Sequence, residues 1–499
     1  MPSKPSASWM RISPVRMGRR RFVSVIDPVW QPEHRDSTPF LPNWRAAASY
    51  LREKTWEKAG MRHFKRQMAG GILALGGLAL AACVSAPAAP QTAAPVAVAV
   101  APQPPFSPEG IAALEAKMAS YVDEGTVKGI ATRLVQNGEI ISDFRHGIRR
   151  EADGAPVEED TIWRIYSMSK PVTGVGLMIL WEEGKFQMDD PVTKYFPEFE
   201  GLQVFKGLDA DGNPILAPVS RPPTVQELMS HTAGFGYGLA PGNYVDDKFR
   251  ELEVFQSPDA DEMIRRVATI PLKHEPGVTW DYSISVDIQG ALIERLSGQS
   301  LGEFLEARVF APLGMVDTAF FVPDEKYDRF SDVWGPNQET GELVPLPMPG
   351  FQYRKDTIAF EGGGHGLVGT LGDYARFTDM LAQGGTLDGV QVLKPETVAL
   401  MATNFLPEGV FIGHNGTTTD PNAGGGFGLD FAVILKDGEA YPKGAFMWGG
   451  AAGTWFWVDP VNKISFVGMI QVFGGSLDRS MRTESAKLVY GAMDTSQGN

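Results

Sequence analysis

The chain has 499 residues, of which 43% are hydrophobic and 21% are charged, the composition of a globular protein. Of its 45 basic and 60 acidic side chains, 14 basic but only 5 acidic ones lie in residues 1–82, so the rest is strongly acidic and nucleic-acid binding is excluded. A single cysteine excludes an intrachain disulfide. The seven histidines lack the spacing of metal ligands, so we expect no metal site, and we expect no cofactor.

Residues 61–82 have the parts of a secretory signal peptide. A basic stretch at residues 62–66 precedes an uncharged apolar segment, residues 68–82, that is too short to span a bilayer comfortably. The segment ends in Leu-Ala-Ala before Cys83, which resembles a bacterial lipobox, where the cysteine is lipidated. We therefore expect an exported lipoprotein with an N-terminal lipid anchor in the cell envelope; the alternative is a plain signal peptide. Val84, which replaces an aspartate linked with inner-membrane retention, favours the outer membrane, facing the periplasm.

The remaining chain divides by composition. Because a signal peptide belongs at a chain start, we expect translation from Met61, with residues 1–60 an over-extended or disordered N-terminus. Residues 83–106 are almost all Ala, Pro, Val and Gln, which is typical of an extended tether. Residues 107–495 show no repeat and no internal break, so they are predicted to form one catalytic unit.

Hydrophobic periodicity predicts the elements of this unit. Helices are expected at residues 111–122, 172–183, 288–296, 300–309, 374–383 and 395–404. Strands are expected at residues 127–136 and 140–148, around an Asn137-Gly138 turn, and at residues 454–458 and 464–472. Strands at both ends of a helical middle indicate an α+β fold: an antiparallel sheet built from N- and C-terminal strands, flanked by helices, with an inserted, mainly helical lobe.

Ser167 and Lys170 form a Ser-x-x-Lys tetrapeptide. Residues i and i+3 share a helix face, so the amine can reach the hydroxyl. Pro171 is poorly tolerated inside a helix, which places Ser167 close to a helix start, where the helix dipole favours a serine alkoxide. Lys170 is therefore a candidate base for a Ser167 nucleophile. Taken alone, the tetrapeptide also fits a helix N-cap serine followed by a solvated lysine.

Such a serine needs a second proton-handling group and an oxyanion hole. Tyr282, which enters the predicted helix at residue 288, is the best candidate for the first; its alternative is a core tyrosine with a satisfied hydroxyl. The strand that begins Trp448-Gly449-Gly450-Ala451 is the candidate for the oxyanion hole and the substrate-binding edge. Its glycines would let a substrate approach closely, and the Ala451 and Ser167 amides would hold the oxyanion; alternatively, the strand carries a glycine-rich bulge.

The order of Ser-x-x-Lys, tyrosine and glycine-rich strand resembles the serine β-lactamase and penicillin-binding-protein superfamily. The resemblance is closest to the class C-like branch that holds the family VIII carboxylesterases, and it covers nearly all of residues 107–490. Supporting runs occur at residues 207–212, 228–234, 311–315 and 362–368. The resemblance implies a β-lactamase-like fold and a serine hydrolase whose catalytic residues are Ser167, Lys170 and Tyr282. We expect His231 and His365 to be structural loop residues.

Two departures from class C β-lactamases bear on the substrate. The Tyr-x-Asn triad of that class has Ile284 at its third position here, and Trp448-Gly449-Gly450 replaces its Lys-Thr-Gly. The missing asparagine removes an amide donor, and the missing lysine removes the charge that would bind the carboxylate of a β-lactam, so recognition of a β-lactam would be weakened. Trp448 suits an apolar or aromatic group instead. We therefore expect a small-molecule ester substrate, with β-lactam cleavage slow or absent.

Three alternatives remain open. Residues 298–302 match the Gly-x-Ser-x-Gly elbow of α/β-hydrolases, but a helix is predicted before them where a strand is required, and Ser300 with Glu303 suits a capping box. An amide-cleaving β-lactamase or DD-peptidase is disfavoured by the missing Lys-Thr-Gly. An inactive, envelope-anchored binding protein is disfavoured by the intact Ser167, Lys170 and Tyr282. The sequence leaves the oligomeric state open.

Overall fold

The computed structural model describes residues 105–493 except 349–352, 359, 414–415, 419–423 and 474–476. The predictions for residues 1–60, for the signal peptide at residues 61–82, for Cys83 and for nearly all of the tether at residues 83–106 lie outside these described residues.

Along the described chain, a largely helical middle is followed by a run of strands and a last helix. The helices are α1 Pro108–Asp123, α2 Ser169–Glu182, α3 Val225–Met229, α4 Tyr244–Glu251, α5 Ala260–Ala268, α6 Ser285–Ser297, α7 Leu301–Leu305, α8 Ala311–Leu313, α9 Leu371–Ala382, α10 Pro395–Met401 and α11 Leu477–Ala492. The strands are β1 Gly129–Gln136, β2 Glu139–Gly147, β3 Ile162–Arg164, β4 Gln203–Leu208, β5 Pro214–Pro218, β6 Trp334–Pro336, β7 Leu343–Pro345, β8 Val368–Thr370, β9 Thr386–Leu387, β10 Val390–Gln391, β11 Phe411–Gly413, β12 Gly416–Thr418, β13 Gly426–Phe427, β14 Ala432–Val433, β15 Phe446–Gly449, β16 Trp455–Asp459 and β17 Ile464–Met469.

One large antiparallel sheet joins the two ends of the described chain. Its strand order is β13-β14-β15-β16-β17-β1-β2, so the first strand pairs with the last. The register of β1 and β17 runs from Ala131 opposite Met469 to Gln136 opposite Ile464. The β1–β2 hairpin turns at Asn137 and Gly138, whose φ angles of 52° and 82° are those that a tight primed turn demands. The predicted α+β fold, with its paired terminal strands, is confirmed.

Both faces of this sheet are covered, because its strands carry apolar side chains on both sides. Trp455, Trp457 and Phe466 face a core shared with α1 and α11. Their strand neighbours, Phe456 and Val467 among them, face the main core shared with α9 and the helical lobe. This alternation follows from the two-residue period of a strand.

The helical lobe packs around α2. Every residue of α2 from Ser169 to Leu180 is buried, which explains why its sequence is apolar almost all round. The predicted helix at residues 300–309 begins with the expected Ser300–Glu303 capping box but is divided into α7, a π-helical turn at Glu306–Phe310 and α8. The lobe therefore holds the N-terminus of α2 against the large sheet.

Candidate active site

The Ser167 turn lies between β3 and α2. Residues Tyr166–Met168 form a 3₁₀ turn that leads directly into α2, so Ser167 stands at a helix start, as Pro171 in the first turn of α2 predicts. Tyr166 has a φ of 43°, a conformation that costs a non-glycine residue about 1–2 kcal/mol. The buried Tyr166 ring packs edge-on against Phe473, with 5.4 Å between centroids, and this packing holds the strained turn in place.

Lys170 is completely buried beneath Ser167. Its Nζ lies 3.3 Å from Ser167 Oγ, 3.1 Å from the hydroxyl of Tyr237 and 2.6 Å from the carbonyl oxygen of Gly364. An amine that donates its two N–H groups to Tyr237 and Gly364 keeps its lone pair for the Ser167 hydroxyl. The alternative of a solvated lysine is excluded by this burial.

Tyr282 approaches the same serine from the loop before α6. Its hydroxyl donates a hydrogen bond to Ser167 Oγ across 2.7 Å, although the two residues are 115 positions apart in the chain. Lys170 Nζ lies 4.6 Å from the centroid of the Tyr282 ring. The three residues nominated from the sequence thus converge on one oxygen atom.

Sequence reasoning missed Tyr237. Its buried hydroxyl contacts Lys170, and its ring meets the Tyr282 ring edge-on with centroids 5.3 Å apart. Burial raises the pKa of Tyr237 well above its usual value, and the charge of Asp287 and the neighbouring Tyr282 add to this, so it stays a phenol. Its position between two glycines, shortly after the run at residues 228–234, is the only sequence signal that could have pointed to it.

Two buried carboxylates lie near Lys170. Asp287 accepts the Gly364 N–H at 3.0 Å, and Nδ1 of His365 lies 3.3 Å from the same Oδ1. Burial would raise the pKa of Asp287, but the contact with His365 and the charge of Lys170 hold it below its usual value. Burial raises the pKa of Asp430 well above its usual value, against the opposing Gln289 hydrogen bond and Lys170 charge. Asp287 therefore supplies the ionised carboxylate of this region.

Strand β15, which the sequence predicts as an edge strand but which pairs with both β14 and β16 in the large sheet, ends beside the Ser167 turn. A Cβ on Gly450 would overlap the Ile165 carbonyl and the Thr454 hydroxyl, and one on Gly449 would overlap the Arg482 guanidinium. Packing within the protein therefore requires glycine at position 450, and at position 449 the nearest group is the flexible end of Arg482. The sequence predicts instead that these glycines give room to a substrate. Their contact with substrate remains a prediction. Among the described residues the N–H of Ala451 has no acceptor, which leaves it free to bind an oxyanion.

Aromatic rings line the Tyr282 side of the site. Trp448 lies 5.6 Å from Tyr282 and 5.3 Å from Phe427 between ring centroids, and Trp280 stacks on Tyr282 at 6.1 Å. Trp448 is half-buried, and within the described residues its indole N–H has no hydrogen-bond partner. Ile284, which replaces the asparagine of class C enzymes, is completely buried in the main core.

The rival nucleophile Ser300 has a structural role. It accepts the backbone N–H of Glu303 at 3.2 Å, and the Glu303 carboxylate accepts the backbone N–H of Ser300 at 3.2 Å. Helix α6 ends at Gly298, whose φ of 73° is that of a helix C-cap, so no strand precedes this serine. The rejection of a nucleophile elbow is confirmed.

Neither a metal-binding cluster nor a membrane-spanning helix occurs among the described residues. Over this part of the chain no group of three or more His, Cys, Asp or Glu side chains is arranged to hold a metal ion. The helices that the structure describes include none with the length and apolarity needed to cross a membrane.

The chain is similar in sequence to known proteins of one family. The family model described as Beta-lactamase matches residues 114–490. An uncharacterised protein of Mycobacterium tuberculosis is 32% identical over 365 residues, which cover 72% of this chain and 89% of that protein. Esterase EstB of Burkholderia gladioli is 31% identical over 371 residues, which cover 69% of this chain and 86% of EstB.

A solved structure shows the same fold. EstCE1, described as a hydrolase with promiscuous acyltransferase activity, superposes with a TM-score of 0.61 at 23% identity, over 76% of this chain and 99% of EstCE1. The match of the family model over most of the catalytic unit, together with this fold, confirms the resemblance drawn from the sequence: the chain belongs to the β-lactamase family.

Proposed function

We propose that this protein is a serine hydrolase that cleaves carboxylic esters through an acyl-enzyme on Ser167. The observation that carries the proposal is the convergence of two proton-handling groups on one hydroxyl. Tyr282 lies 2.7 Å and Lys170 lies 3.3 Å from Ser167 Oγ. Both distances suit proton transfer to or from a reacting oxygen.

The proposed reaction has two halves. Ser167 Oγ attacks the ester carbonyl while its proton passes to neutral Lys170; the Tyr282 hydroxyl gives its proton to the departing alkoxide and is reprotonated by Lys170. Water then attacks the acyl-enzyme, gives its proton to the same pair, and releases the acid as Ser167 regains its hydrogen. The N–H groups of Ser167 and Ala451 stabilise the oxyanion of both tetrahedral intermediates.

The aromatic lining supports an ester substrate with an apolar acyl or alcohol part. Trp448 occupies the position of the lysine that class C enzymes use for a carboxylate, and it packs against Tyr282 and Phe427. A ring surface favours apolar groups and offers no charge to an anionic β-lactam. The similarity to EstB, an esterase by name, agrees with this assignment.

Acyl transfer to an alcohol is the second candidate. The same acyl-enzyme serves both outcomes, because an alcohol can replace water in the second half. An apolar wall beside Ser167 retains an alcohol better than a polar one would. EstCE1, whose description names acyltransferase activity, is a structural neighbour.

The decisive test compares substrates and variants on the purified full chain. A panel of short- and long-chain p-nitrophenyl esters is assayed beside nitrocefin, and a fluorophosphonate probe reports covalent labelling. We expect ester hydrolysis to exceed nitrocefin hydrolysis, and Ser167→Ala to lower it at least ~10³-fold and to abolish labelling. Ser300→Ala is the matched control and should behave as wild type. Unchanged hydrolysis by Ser167→Ala would refute the mechanism, and a protein that neither labels nor hydrolyses would be the inactive binding relative.

We also propose that Cys83 carries a lipid anchor that tethers this activity to the cell envelope, at the outer membrane. The proposal is supported by the basic, apolar and small-residue order of residues 62–82. Metabolic labelling with a fatty-acid analogue should mark the wild-type protein and not Cys83→Ala. Labelling of the Cys83→Ala variant, or recovery of wild type in the soluble periplasmic fraction, would contradict it.

A further inference from the structure

We infer that His231 is a positioning residue that fixes the Tyr282 phenol against Ser167 by binding the backbone on both sides of that tyrosine. The inference rests on the proposed role of Tyr282. It goes beyond the expectation from the sequence that His231 is a structural loop residue and not a catalytic one. His231 touches no reacting atom, so its effect must pass through Tyr282.

The clamp consists of two backbone contacts. The N–H of Asp281 donates to the carbonyl oxygen of His231 at 3.0 Å, and the N–H of Ser283 donates to His231 Nδ1 at 3.2 Å. Tyr282 is the residue between these two donors. The backbone N–H groups of the residues before and after Tyr282 are thus both bound to one buried residue.

The backbone of His231 is itself held in an uncommon state. Its φ is 56°, which histidine adopts more readily than most side chains but still at some cost. The left-handed turn lets its carbonyl and its ring face the same segment of chain. A local strain maintained by surrounding structure is common beside functional groups.

The contact with Ser283 defines the tautomer of His231. Nδ1 meets two groups of Ser283: the backbone N–H, which donates to it at 3.2 Å, and the hydroxyl oxygen, which lies 2.9 Å away. Because the backbone N–H can only donate, Nδ1 accepts and carries no hydrogen, and the proton resides on Nε2. Nε2 is buried without a hydrogen-bond partner among the described residues, and the ring packs against Tyr282 and Phe427 with centroid distances of 5.1 Å and 5.4 Å. Burial, reinforced by the charge of Lys170, holds the pKa of His231 well below its usual value, so the imidazole stays neutral and Nδ1 stays an acceptor.

Other contacts also hold the Tyr282 segment: the Ile284 N–H donates to the Gly236 carbonyl at 3.0 Å, and the Asp281 carboxylate pairs with Lys273 at 2.9 Å. Among the described residues, however, the backbone N–H groups of Asp281 and Ser283 are bound by His231, while the Tyr282 ring has aromatic contacts with Trp280, Trp448 and Tyr237. Its hydroxyl must reach Ser167 Oγ at 2.7 Å. A displacement of about 1 Å in a catalytic group costs roughly 10²-fold in rate, so the backbone clamp is worth about that factor.

The test uses two substitutions at His231. His231→Asn keeps an acceptor oxygen near the place of Nδ1, and asparagine tolerates a left-handed φ. His231→Leu has a comparable size and no acceptor. We expect His231→Leu to lower kcat for a p-nitrophenyl ester about 10²-fold with KM within about threefold, and His231→Asn to recover most of that loss. Ser283→Ala removes the hydroxyl that lies 2.9 Å from Nδ1 but keeps the N–H donor of the clamp, so it should stay within about threefold of wild type.

A double-mutant cycle separates positioning from packing. In a Tyr282→Phe background the His231→Leu change should cost less than about threefold, because the phenol it positions is gone. General damage to the fold, including backbone strain from leucine, would cost the same factor in both backgrounds. A full 10²-fold loss in the Tyr282→Phe background overturns the inference.

A structural readout keeps the inference independent of the proposed reaction. In protein labelled with ¹³Cζ-tyrosine, the Tyr282 resonance is assigned by its absence in Tyr282→Phe. We expect that resonance to shift or broaden in His231→Leu and to keep its position in His231→Asn. An unchanged resonance in folded His231→Leu overturns the inference whatever the activity. Full activity of Ser167→Ala instead overturns the proposed function and leaves the resonance to decide the role of His231.

Discussion

Replacing Tyr282 and Tyr237 in turn by phenylalanine tests how the two buried phenols divide their work. The substitutions are matched, since each removes one hydroxyl from a ring packed in the same aromatic cluster. The Tyr282 hydroxyl lies 2.7 Å from Ser167 Oγ, whereas the Tyr237 hydroxyl lies 3.1 Å from Lys170. Only Tyr282 therefore acts on the reacting oxygen itself.

The expected magnitudes follow from these contacts. Loss of a general acid–base group that touches the reacting atom costs typically 10²–10⁴-fold, so Tyr282→Phe should lower kcat/KM by about 10³-fold, or about 4 kcal/mol. Tyr237→Phe removes a hydrogen bond worth about 1.5 kcal/mol, which corresponds to about tenfold. Burial raises the pKa of Tyr237 well above its usual value, so it remains a phenol near neutral pH and acts only as a hydrogen-bond partner of Lys170.

The assay is steady-state hydrolysis of one p-nitrophenyl ester, with thermal unfolding to confirm that both variants are folded. Fluorophosphonate labelling of Ser167 gives a second measure that does not depend on the leaving group. The reasoning is refuted if folded Tyr237→Phe loses more activity than folded Tyr282→Phe, because the shorter contact to Ser167 would then not decide the role.

Four further substitutions test the packing and the buried titratable groups. Gly450→Ala should lower both Tm and kcat because its Cβ meets fixed groups, whereas Gly449→Ala meets the flexible end of Arg482 and should be milder; equal Tm values would contradict this. His231 lacks a proton that the unfolded chain binds below about pH 6.5, so wild-type stability should fall there by up to about 1.4 kcal/mol per pH unit, and denaturant titrations should find His231→Asn without this dependence. Asp430 keeps a proton that the unfolded chain loses above about pH 4, so Asp430→Asn should gain stability relative to wild type as pH rises; a constant difference would argue against a neutral Asp430.

Several features of this protein are determined by local sequence. The Ser-x-x-Lys spacing places Ser167 and Lys170 within reach of each other because one helical turn joins them. The Asn137-Gly138 pair supplies two left-handed residues and so defines the first hairpin. Ser300 and Glu303 form their capping box within four residues. Each of these depends on chain neighbours, so it could be read correctly without knowledge of the fold.

The role of Tyr282 could not be predicted from neighbouring residues alone, and its prediction depended also on the resemblance to the β-lactamase family. The sequence nominates Tyr282 as the residue that leads into the predicted helix at residue 288, and the order of the motifs agrees with it; the structure brings its hydroxyl to Ser167 across 115 positions of chain. No period or spacing in the sequence could measure that distance, since it depends on how the loop before α6 packs against α2.

Only the tertiary structure decided what surrounds Lys170. The Tyr237 hydroxyl and the Gly364 carbonyl reach its amine from positions 67 and 194 residues away, and His231 ties down the backbone around Tyr282. Glycine-rich loops and a carbonyl carry no sequence signature of such contacts. The sequence alone thus determined the nucleophile and its nearest amine, while packing between distant segments determined the environment that positions them, because burial and long-range hydrogen bonds exist only once the chain has folded.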